Sequence, residues 1–256
     1  MPAPATMSDH PADLIELFSS IQGEGLLVGL RQIFLRFYGC NLTCAYCDTE
    51  RQVPPSCCAI EGTPGRRDFV PVSNPVALDR VLSHLAGWQS GWPGLHHSLG
   101  LTGGEPLLRL EILREWLPPL RKHLPIYLET NGVLSTALQV LINHIDYIGM
   151  DFKLPSTAGV GDFWERHAEF LSVAAAKKVF VKVVVGEDTE EWEIGKSCEI
   201  IAAIDQSIPL ILQPVTGDDG QVAISPIKVL ELQELAHLML REVRVIPQTH
   251  KFMGQI

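Results

Sequence analysis

The chain lacks any long hydrophobic run. Hydrophobic residues make up 46% of its 256 residues, yet no stretch approaches the roughly 18 consecutive apolar residues that a membrane-spanning helix needs. Residues 1–13 are rich in proline, alanine and polar side chains, and they lack the basic-then-apolar pattern of a secretory signal. We therefore expect a cytoplasmic protein without a membrane partner, in which residues 1–13 form a flexible leader and residues 14–256 a single domain.

Positive charge is also scarce. The chain has 20 lysines and arginines against 30 aspartates and glutamates, a net charge of −10. A protein that binds nucleic acid broadly needs a cationic surface that neutralises phosphates. The composition therefore predicts no nucleic-acid partner, although a small basic pocket is compatible with it.

Cysteine is present but not in the pattern of a secreted disulfide framework, which is typically shorter and follows a signal peptide. We therefore expect reduced thiols in all six positions. Cys57, Cys58 and Cys198 show no recognisable spacing and are interpreted as ordinary thiols, because cysteine often packs as a small hydrophobic residue.

The other three cysteines are closely spaced. Cys40, Cys44 and Cys47 lie within eight residues, directly after the β-rich run 32–38. Thiolates at such short separations can converge on one metal centre if the backbone wraps around it. A structural zinc site is closed by four ligands, whereas three ligands leave one position open for a cofactor or substrate. A zinc-binding module with a histidine as fourth ligand is the alternative, although no histidine is near the triad in sequence.

Runs with strand character alternate with helical spacing about six times along the chain, whereas Pro- and Gly-rich 51–73 is predicted as a loop. Such alternation predicts an α/β fold with a parallel sheet and right-handed crossovers. Ligands bind such folds at the carboxyl ends of the strands. The polar clusters that follow strands are therefore predicted to share one mouth with the cysteines: Thr102 to Glu105, Glu129 to Asn131, Asp151 to Lys153, Gly186 to Asp188 and Gln213 to Thr216.

Arg36 interrupts the predicted strand 32–38. A buried guanidinium has to be paired with an anion. The pattern leaves two partners open, which are a carboxylate of the protein and a carboxylate of a ligand.

The spacing Cys-x3-Cys-x2-Cys, with Tyr46 before the last cysteine, resembles the radical S-adenosylmethionine enzymes. This resemblance implies that the three thiolates hold a [4Fe–4S] cluster, whose fourth iron binds S-adenosylmethionine and delivers the electron that generates a 5′-deoxyadenosyl radical. Gly103-Gly104-Glu105-Pro106 resembles the glycine-rich segment in which backbone and carboxylate bind the methionine ammonium group. The implied fold is an open partial (βα)6 barrel with a parallel sheet and helices outside.

A closer resemblance is to the 7-carboxy-7-deazaguanine synthases. It lies in five segments: 20–25, 36–42, 47–49, 129–132 and 247–251, together with Gln213-Pro214. It implies a lyase that converts 6-carboxy-5,6,7,8-tetrahydropterin to 7-carboxy-7-deazaguanine with release of ammonia, on the route to queuosine in tRNA. It also implies Mg²⁺, a flavodoxin or ferredoxin as electron donor, and a homodimer. A glycyl-radical-enzyme activase of the same superfamily is the second candidate.

The resemblance also implies roles for individual residues, with the radical supplied by the cofactor and not by a catalytic side chain. Arg36 would bind the substrate carboxylate and Thr49 would bind Mg²⁺. The substrate would also contact Ile21, Gln22, Gly23, Thr102 and the carboxyl end at Ile256. S-adenosylmethionine would contact Tyr46, Gly103, Gly104, Glu105, Glu129, Asn131, Asp151, Lys153, Gln213, Pro214, Val215 and Thr216. The structural alternatives are an ion pair for Arg36, a loop or cap hydroxyl for Thr49, and a strand-end turn for Glu129 to Asn131.

Overall fold

The computed structural model describes residues 10–47, 53–217 and 220–255. The strands of these ranges are β1 (Leu14–Ile21), β2 (Arg31–Phe37), β3 (Cys57–Glu61), β4 (Phe69–Ser73), β5 (Ser98–Gly103), β6 (Ile126–Thr130), β7 (Tyr147–Phe152), β8 (Lys178–Val185), β9 (Leu210–Pro214) and β10 (Val243–Val245). The helices are α1 (Leu78–Gly91), α2 (Leu110–Leu120), α3 (Ser135–Leu141), α4 (Pro155–Ala158), α5 (Trp164–Ala174), α6 (Glu191–Ile204), α7 (Pro226–His237) and α8 (Thr249–Phe252).

The strands form one sheet in the order β10-β9-β8-β7-β6-β5-β2-β1-β3-β4. From β2 through β5 to β10 neighbouring strands are parallel, and helices α1 to α7 lie in the six crossovers of this described part. β1 runs antiparallel to β2 and carries β3 and β4 at the far edge. The two outermost strands, β10 and β4, do not pair with each other within the described residues, so the sheet is open. This confirms the predicted α/β class with a mostly parallel sheet.

The two faces of the sheet have different partners, because successive strand side chains point to opposite sides. In β8, the residues Val181, Val183 and Val185 pack into the main core with helical residues such as Phe170 and Ile194. The alternate residues Phe180, Lys182 and Val184 line a cavity on the other face. The helices therefore cover one face of the sheet, and the opposite face is available for a site. No helix in the described ranges is long and apolar enough to cross a membrane.

The segment 51–73 was predicted as a loop, and this prediction is wrong for much of its length. β3 and β4 pair as an antiparallel hairpin from Cys57 opposite Ser73 to Glu61 opposite Phe69. Pro71, one of the residues that suggested a loop, lies in the outermost strand of the sheet, where a missing backbone N–H is tolerated.

The described end of the predicted leader, residues 10–13, packs against the domain. Ala12 is fully buried and forms a backbone bridge with Val76, and the indole of Trp116 donates a hydrogen bond to the carbonyl of His10. Ordered structure therefore begins before the predicted boundary at Leu14.

Candidate active site

A cavity of about 630 Å³ lies where the parallel strands end. Most residues predicted for the site line it: Ile21, Gln22, Gly23, Arg36, Cys40, Cys44, Tyr46, Cys47, Thr102, Gly103, Gly104, Glu129, Asn131, Asp151, Lys153, Gln213, Pro214, Val215 and Thr216. The fold thus brings together groups that are up to 195 residues apart in sequence. Thr49 and Ile256 lie outside the described residues.

Two predicted members are placed elsewhere. The segment Gly186 to Asp188 does not line the cavity. The Glu187 carboxylate instead accepts a hydrogen bond from the backbone N–H of Ser225, the residue before α7. Glu105 is also absent from the cavity wall, for the reason given below.

The cysteine loop follows β2 and is held at both ends. At its base, the N–H groups of Gly104 and Glu105 donate to the carbonyls of Phe37 (3.1 Å) and Gly39 (2.8 Å). Further along, the N–H of Ala45 donates to the carbonyl of Ala158 at 2.8 Å. Short links of this kind fix the backbone around the thiols, although the loop contains no helix or strand between residues 38 and 47.

The three thiols of the cysteine loop line the same cavity. All six cysteines are present as thiols, and Cys40, Cys44 and Cys47 share one cavity wall. No three His, Cys, Asp or Glu side chains of the described chain are grouped closely enough to hold one metal ion. A zinc site needs such a group, with each sulfur about 2.3 Å from the metal, whereas the cysteines of an iron–sulfur cluster ligate its different irons. The arrangement therefore gives no support to the zinc alternative.

Hydrogen-bond donors surround the first of these cysteines. The N–H of Leu42 points at Cys40 Sγ at 3.5 Å, and the Asn131 side-chain amide is 3.9 Å from the same sulfur. The Asn131 amide also donates to Asn41 Oδ1 at 2.8 Å, which links the end of β6 to the cysteine loop. Donors to a sulfur stabilise its thiolate form, the form in which it binds iron.

Gly104 allows the cysteine loop to pack directly on the strand that follows it in the sheet. A Cβ atom at this position would lie 1.9 Å from the carbonyl oxygen of Gly39. We expect Gly104→Ala to destabilise the protein by about 1–3 kcal/mol, since two backbone segments would have to separate. It should also lower the amount of iron that the purified protein retains, measured together with urea unfolding.

Gly195→Ala is the matched control for this prediction. Gly195 is in α6, and a Cβ atom there would meet no atom within 4 Å. Alanine should be neutral or stabilise the helix by up to about 1 kcal/mol. Equal behaviour of the two variants would contradict the packing role of Gly104.

Glu105 ties strands together beneath the cavity. Its carboxylate is fully buried and accepts hydrogen bonds from the N–H of Leu107 (3.0 Å), the hydroxyl of Thr130 (3.0 Å) and the N–H of Asn131 (2.8 Å). Burial raises the pKa of Glu105 to about 7, and these donors and Lys153 oppose that shift. The carboxylate thereby holds the ends of β5 and β6 together, and its contact with the cofactor stays a prediction from the resemblance.

A network of four charged side chains, hereafter the cavity ion network, crosses the inner face of the sheet. Lys153 Nζ lies 2.7 Å from Asp151 Oδ2 and 3.1 Å from the hydroxyl of Tyr46. Lys182 Nζ lies 3.4 Å from Asp151 Oδ2 and 2.5 Å from Glu24 Oε2. Two cations thus alternate with two anions, which come from the end of β7, from β8 and from the segment that follows β1.

These side chains are held in their charged forms. Burial alone would raise the pKa of Glu24, but the charge and hydrogen bond of Lys182 lower it to about 2. Burial would likewise lower the pKa values of Lys153 and Lys182, but Asp151 and Glu24 respectively raise them above the ordinary lysine value. Glu24, Lys153 and Lys182 are therefore charged at neutral pH.

A second polar group lies around Glu129. Gln22 Nε2 donates to Glu129 Oε1 at 2.8 Å, and the hydroxyl of Thr102 donates to Glu129 Oε2 at 2.5 Å. Both oxygens of the carboxylate are therefore fixed, and the amide of Gln22 is also held by Gln32 at 2.9 Å. The alternative of a simple strand-end turn does not describe this residue, because its side chain is part of the cavity wall.

Arg36 forms the ion pair that was the structural alternative for it. Its Nε lies 2.6 Å from Glu16 Oε1, and its guanidinium stands over the ring of Phe18. Glu16, Phe18 and Arg36 all line the cavity. The pairing orients the guanidinium through one of its five donors.

Several buried polar atoms of the cavity wall have no partner within the described residues. They are Asn131 Oδ1, Asp151 Oδ1, Gln213 Oε1 and Thr216 Oγ1. Buried polar atoms are normally hydrogen-bonded, so each such exception needs an explanation. A polar ligand in the cavity would supply these partners, which fits a cofactor rich in hydrogen-bonding groups.

Sequence reasoning missed several residues that face the cavity, most of them in the middle of strands. Lys182 and Glu24 form half of the cavity ion network, and Phe34, Tyr127 and Phe180 supply aromatic wall. One signal was available: Lys182 is the one charged residue within the β-branched run 179–185, as Arg36 is within the run 32–38. The strand-end argument considered only termini and therefore did not find it.

The C-terminal segment also reaches the cavity. Gln248, His250, Lys251 and Gln255 line it. A Cβ atom on Gly23 would lie 2.1 Å from the ring of His250. Because Gly23 has no side chain, the C-terminal segment can pack at this position. His250 therefore belongs to the cavity wall.

His167 supports the cavity from behind and makes stability sensitive to acid. It is fully buried, stacks on Phe152 at 4.5 Å and contacts the carbonyl of Asn131 through Nε2 at 3.2 Å. Burial lowers its pKa to about 4. As the pH falls below 6.5, His167 takes up a proton in the unfolded state but not yet in the folded state. The contribution of this residue to the free energy of unfolding should therefore decrease by about 3 kcal/mol as the pH drops toward 4. We expect His167→Phe to flatten this part of the pH profile of urea unfolding.

The exposed His237 at the end of α7 provides the control. His237→Gln should keep the slope of the unmodified protein between pH 6.5 and 4. An unchanged slope in His167→Phe would exclude His167 as its source.

Comparison with known proteins identifies the family. No family model matches the chain. The chain is 61% identical over 250 residues to the 7-carboxy-7-deazaguanine synthase of Geobacter sulfurreducens, with 98% of this chain and 100% of that protein covered. It is 32% identical over 262 residues to the synthase of Methanothermobacter thermautotrophicus, with 95% and 97% covered.

Solved structures share the fold. QueE from Escherichia coli superimposes with a TM-score of 0.55 at 18% identity and covers 96% of both chains. A radical SAM methyltransferase from Sphaerobacter thermophilus superimposes with a TM-score of 0.54 at 10% identity, covering 91% of this chain and 77% of that one. These structural similarities establish only the fold, which is an α/β fold of the radical SAM type. The full-length sequence identities establish the family as well. The chain belongs to the 7-carboxy-7-deazaguanine synthase family.

Proposed function

We propose that the protein is a radical S-adenosylmethionine lyase that converts 6-carboxy-5,6,7,8-tetrahydropterin to 7-carboxy-7-deazaguanine with release of ammonia, in queuosine biosynthesis. The observation that carries the proposal is the 61% identity to a 7-carboxy-7-deazaguanine synthase over its whole length. The cavity supports it, since the cysteine triad and the polar wall around Glu129 line the same space.

The cofactors would be divided between two parts of the cavity. Cys40, Cys44 and Cys47 would hold a [4Fe–4S] cluster. The unpartnered atoms of Asp151, Gln213 and Thr216 would bind S-adenosylmethionine, together with Gly103, Gly104, Tyr46, Asn131, Lys153, Pro214 and Val215. Once bound, these groups would supply the electron and the radical chemistry that the reaction needs. Mg²⁺ would bind Thr49, and this assignment rests on the sequence resemblance because Thr49 is outside the described residues.

The polar wall would orient the pterin. The carboxylate of Glu129 is fixed by Gln22 and Thr102 at 2.8 and 2.5 Å, so its remaining lone pairs would accept from N–H groups of the substrate, beside backbone groups of the wall. Such groups match the alternating donors and acceptors of a pterin edge, and orientation of this type lowers the barrier by placing the reacting C–H near the radical. Ile21 and Gly23 would complete this wall. Arg36, held through Nε by Glu16, would direct its remaining donors to the substrate carboxylate.

The aromatic wall and the cavity ion network would protect the reaction. Phe18, Phe34 and Phe180 line the cavity with apolar surface that excludes water. The charges of the network are mutually compensated and leave no isolated buried ion. Such surroundings limit side reactions of a reactive intermediate.

The remaining features of the proposal rest on family resemblance. They are a homodimer, a flavodoxin or ferredoxin as electron donor, a cytoplasmic location and no nucleic-acid partner. A chain with a net charge of −10 is consistent with the last of these.

A turnover assay tests the proposed function. Cluster-reconstituted protein, kept without oxygen, is incubated with carboxytetrahydropterin, S-adenosylmethionine, Mg²⁺ and dithionite, and the products are analysed by mass spectrometry. We expect 7-carboxy-7-deazaguanine and ammonia. Absence of the deazapurine with an intact, reduced cluster would overturn the proposal, and turnover that Arg36→Ala leaves unchanged would favour the activase instead.

A further inference from the structure

We propose that Arg67 is a positioning residue that holds the C-terminal segment, residues 247–255, closed over the cavity. This inference deepens the proposed function and rests on it, because it concerns closure of the same site. The segment supplies four residues to the cavity wall, Gln248, His250, Lys251 and Gln255, so its position decides the shape of the site.

Hydrogen bonds, and not apolar burial, hold this segment. The N–H and hydroxyl of Thr249 both donate to the carbonyl of Gly23, at 2.9 and 3.2 Å. Gln248 Nε2 donates to Glu24 Oε1 at 2.7 Å. The large side chains of Phe252 and Met253 are 56% and 47% exposed. A segment with few buried apolar contacts opens locally at low cost, so individual hydrogen bonds determine how long it stays closed.

Two contacts hold the far end of the segment. Arg67 Nη2 donates to the carbonyl of Gly254, and Ser20 Oγ donates to Gln255 Oε1 at 3.4 Å. The second is long for an O–H···O hydrogen bond. Arg67 is the charged donor of the two, and it comes from a part of the chain 187 residues away.

Arg67 projects from a rigid platform. Glu61, at the end of β3, is fully buried, and its carboxylate accepts hydrogen bonds from the N–H groups of Ser19 (2.9 Å), Gly65 (2.8 Å) and Arg67 (2.7 Å). These bonds tie the loop between β3 and β4 to β1, the strand next to the cavity. The side chain of Arg31 fills the space above Gly65, where a Cβ atom would lie 1.8 Å from its Nη2. The loop thus presents Arg67 from a fixed position.

The backbone of Arg67 is itself unusual. It has a φ of +57°, and it is the one non-glycine residue with positive φ in the described chain. This left-handed conformation is disfavoured for side chains with a Cβ, whereas glycine adopts it readily. Such conformations persist where surrounding contacts impose them, often at functional sites. At this position glycine would suit the backbone better, but it could not reach Gly254.

The backbone of residue 67 favours glycine, whereas the contact with Gly254 needs an arginine side chain. Arg67→Gly therefore tests the contact, because it removes the guanidinium and also removes the Cβ atom that disfavours a positive φ. Amide hydrogen exchange is measured by mass spectrometry on cluster-reconstituted protein, without substrate. We expect peptides from residues 247–255 to exchange about fivefold or more faster in Arg67→Gly, with the β3–β4 loop and core unchanged. Arg67→Lys, which keeps one charged donor, should restore part of the protection.

Arg66→Ala is the matched control. Arg66 precedes Arg67 in the same exposed loop, and no hydrogen bond from its side chain to residues 247–255 is present in the described structure. Its exchange pattern should equal that of the unmodified protein. Unchanged exchange of residues 247–255 in Arg67→Gly, or an equal increase in Arg66→Ala, would overturn the role of Arg67.

Steady-state kinetics separate this role from the proposed function. In Arg67→Gly we expect KM for the pterin to rise about tenfold with a smaller change in kcat, since closure affects binding before chemistry. A failed turnover assay of the unmodified protein would overturn the proposed function and leave the exchange result standing. Normal exchange of the variant would overturn the positioning role and leave turnover intact.

Discussion

Replacing Cys44 by alanine is expected to remove most of the iron from the anaerobically reconstituted protein and to reduce turnover to the background. The proposed cluster has three protein ligands, and Cys44 is the buried one of the triad. No other group of three His, Cys, Asp or Glu side chains in the described ranges forms a metal site that could hold the iron instead. Iron per polypeptide, the visible charge-transfer absorbance and product formation measure the effect.

The same result is expected for Cys40→Ala and Cys47→Ala, because each thiolate binds a different iron. Cys57→Ser is the control, since Cys57 is exposed on β3, away from the cavity wall. It should keep the iron content and turnover of the unmodified protein. Full iron and activity in any of the three alanine variants would contradict the assignment of the triad.

Lys182→Met is expected to destabilise the protein by about 3 kcal/mol or more, because removal of one partner leaves a buried charge uncompensated. Lys182 is only 15% exposed and pairs with Glu24 and, at 3.4 Å, with Asp151. Asp151 would still be paired with Lys153, so Glu24 is the carboxylate that would lose its cation. Turnover should fall as well, since both carboxylates line the cavity. Urea unfolding and kinetics measure the two effects.

Two variants sharpen this prediction. Lys182→Met combined with Glu24→Gln should regain part of the lost stability, because the orphaned carboxylate is then neutral. Lys196→Met removes an exposed pair with Glu199, in which the lysine is 46% exposed, and should cost no more than about 1 kcal/mol. Equal losses of stability in Lys182→Met and Lys196→Met would show that the cavity ion network stabilises the fold no more than an exposed ion pair does.

The pH dependence of this pair follows from the pKa of Glu24. Its folded value of about 2 lies below the ordinary value of 4.5. The ionised pair therefore stabilises the fold at neutral pH, and this contribution is lost as the pH falls from about 4.5 toward 2. Above pH 5 the pair should have no effect on the slope of stability with pH, unlike His167.

The order of strands and helices was predictable because it depends on local periodicity. β8, for example, is a β-branched run, and α6 follows it with helical spacing. The convergence of strand ends on one mouth was also predictable, since it follows from parallel strands alone. The β3–β4 hairpin was not predicted, because its prolines and glycines suggest a loop and only pairing with β1 makes the segment a strand.

The direction in which a side chain points was the property that the sequence predicted least well. Glu105 belongs to a motif at a strand end, yet its carboxylate turns into the protein to meet Thr130 and Asn131. Lys182 lies in the middle of a strand, yet it faces the cavity. Whether a residue faces the site or the core depends on strand register and on partners from distant segments, which no local pattern contains.

The sequence by itself determined the cysteine triad, the α/β alternation and the family, because each is carried by residue identity and spacing within short segments. Only the tertiary structure decided that Glu24 and Lys182 belong to the site, that Glu16 orients Arg36, and that the C-terminal segment lies on the cavity beside Arg67. The physical reason is that these contacts join residues 20 to 187 positions apart. They form only when the sheet brings those segments together, and the chemistry of each residue alone does not specify its partner.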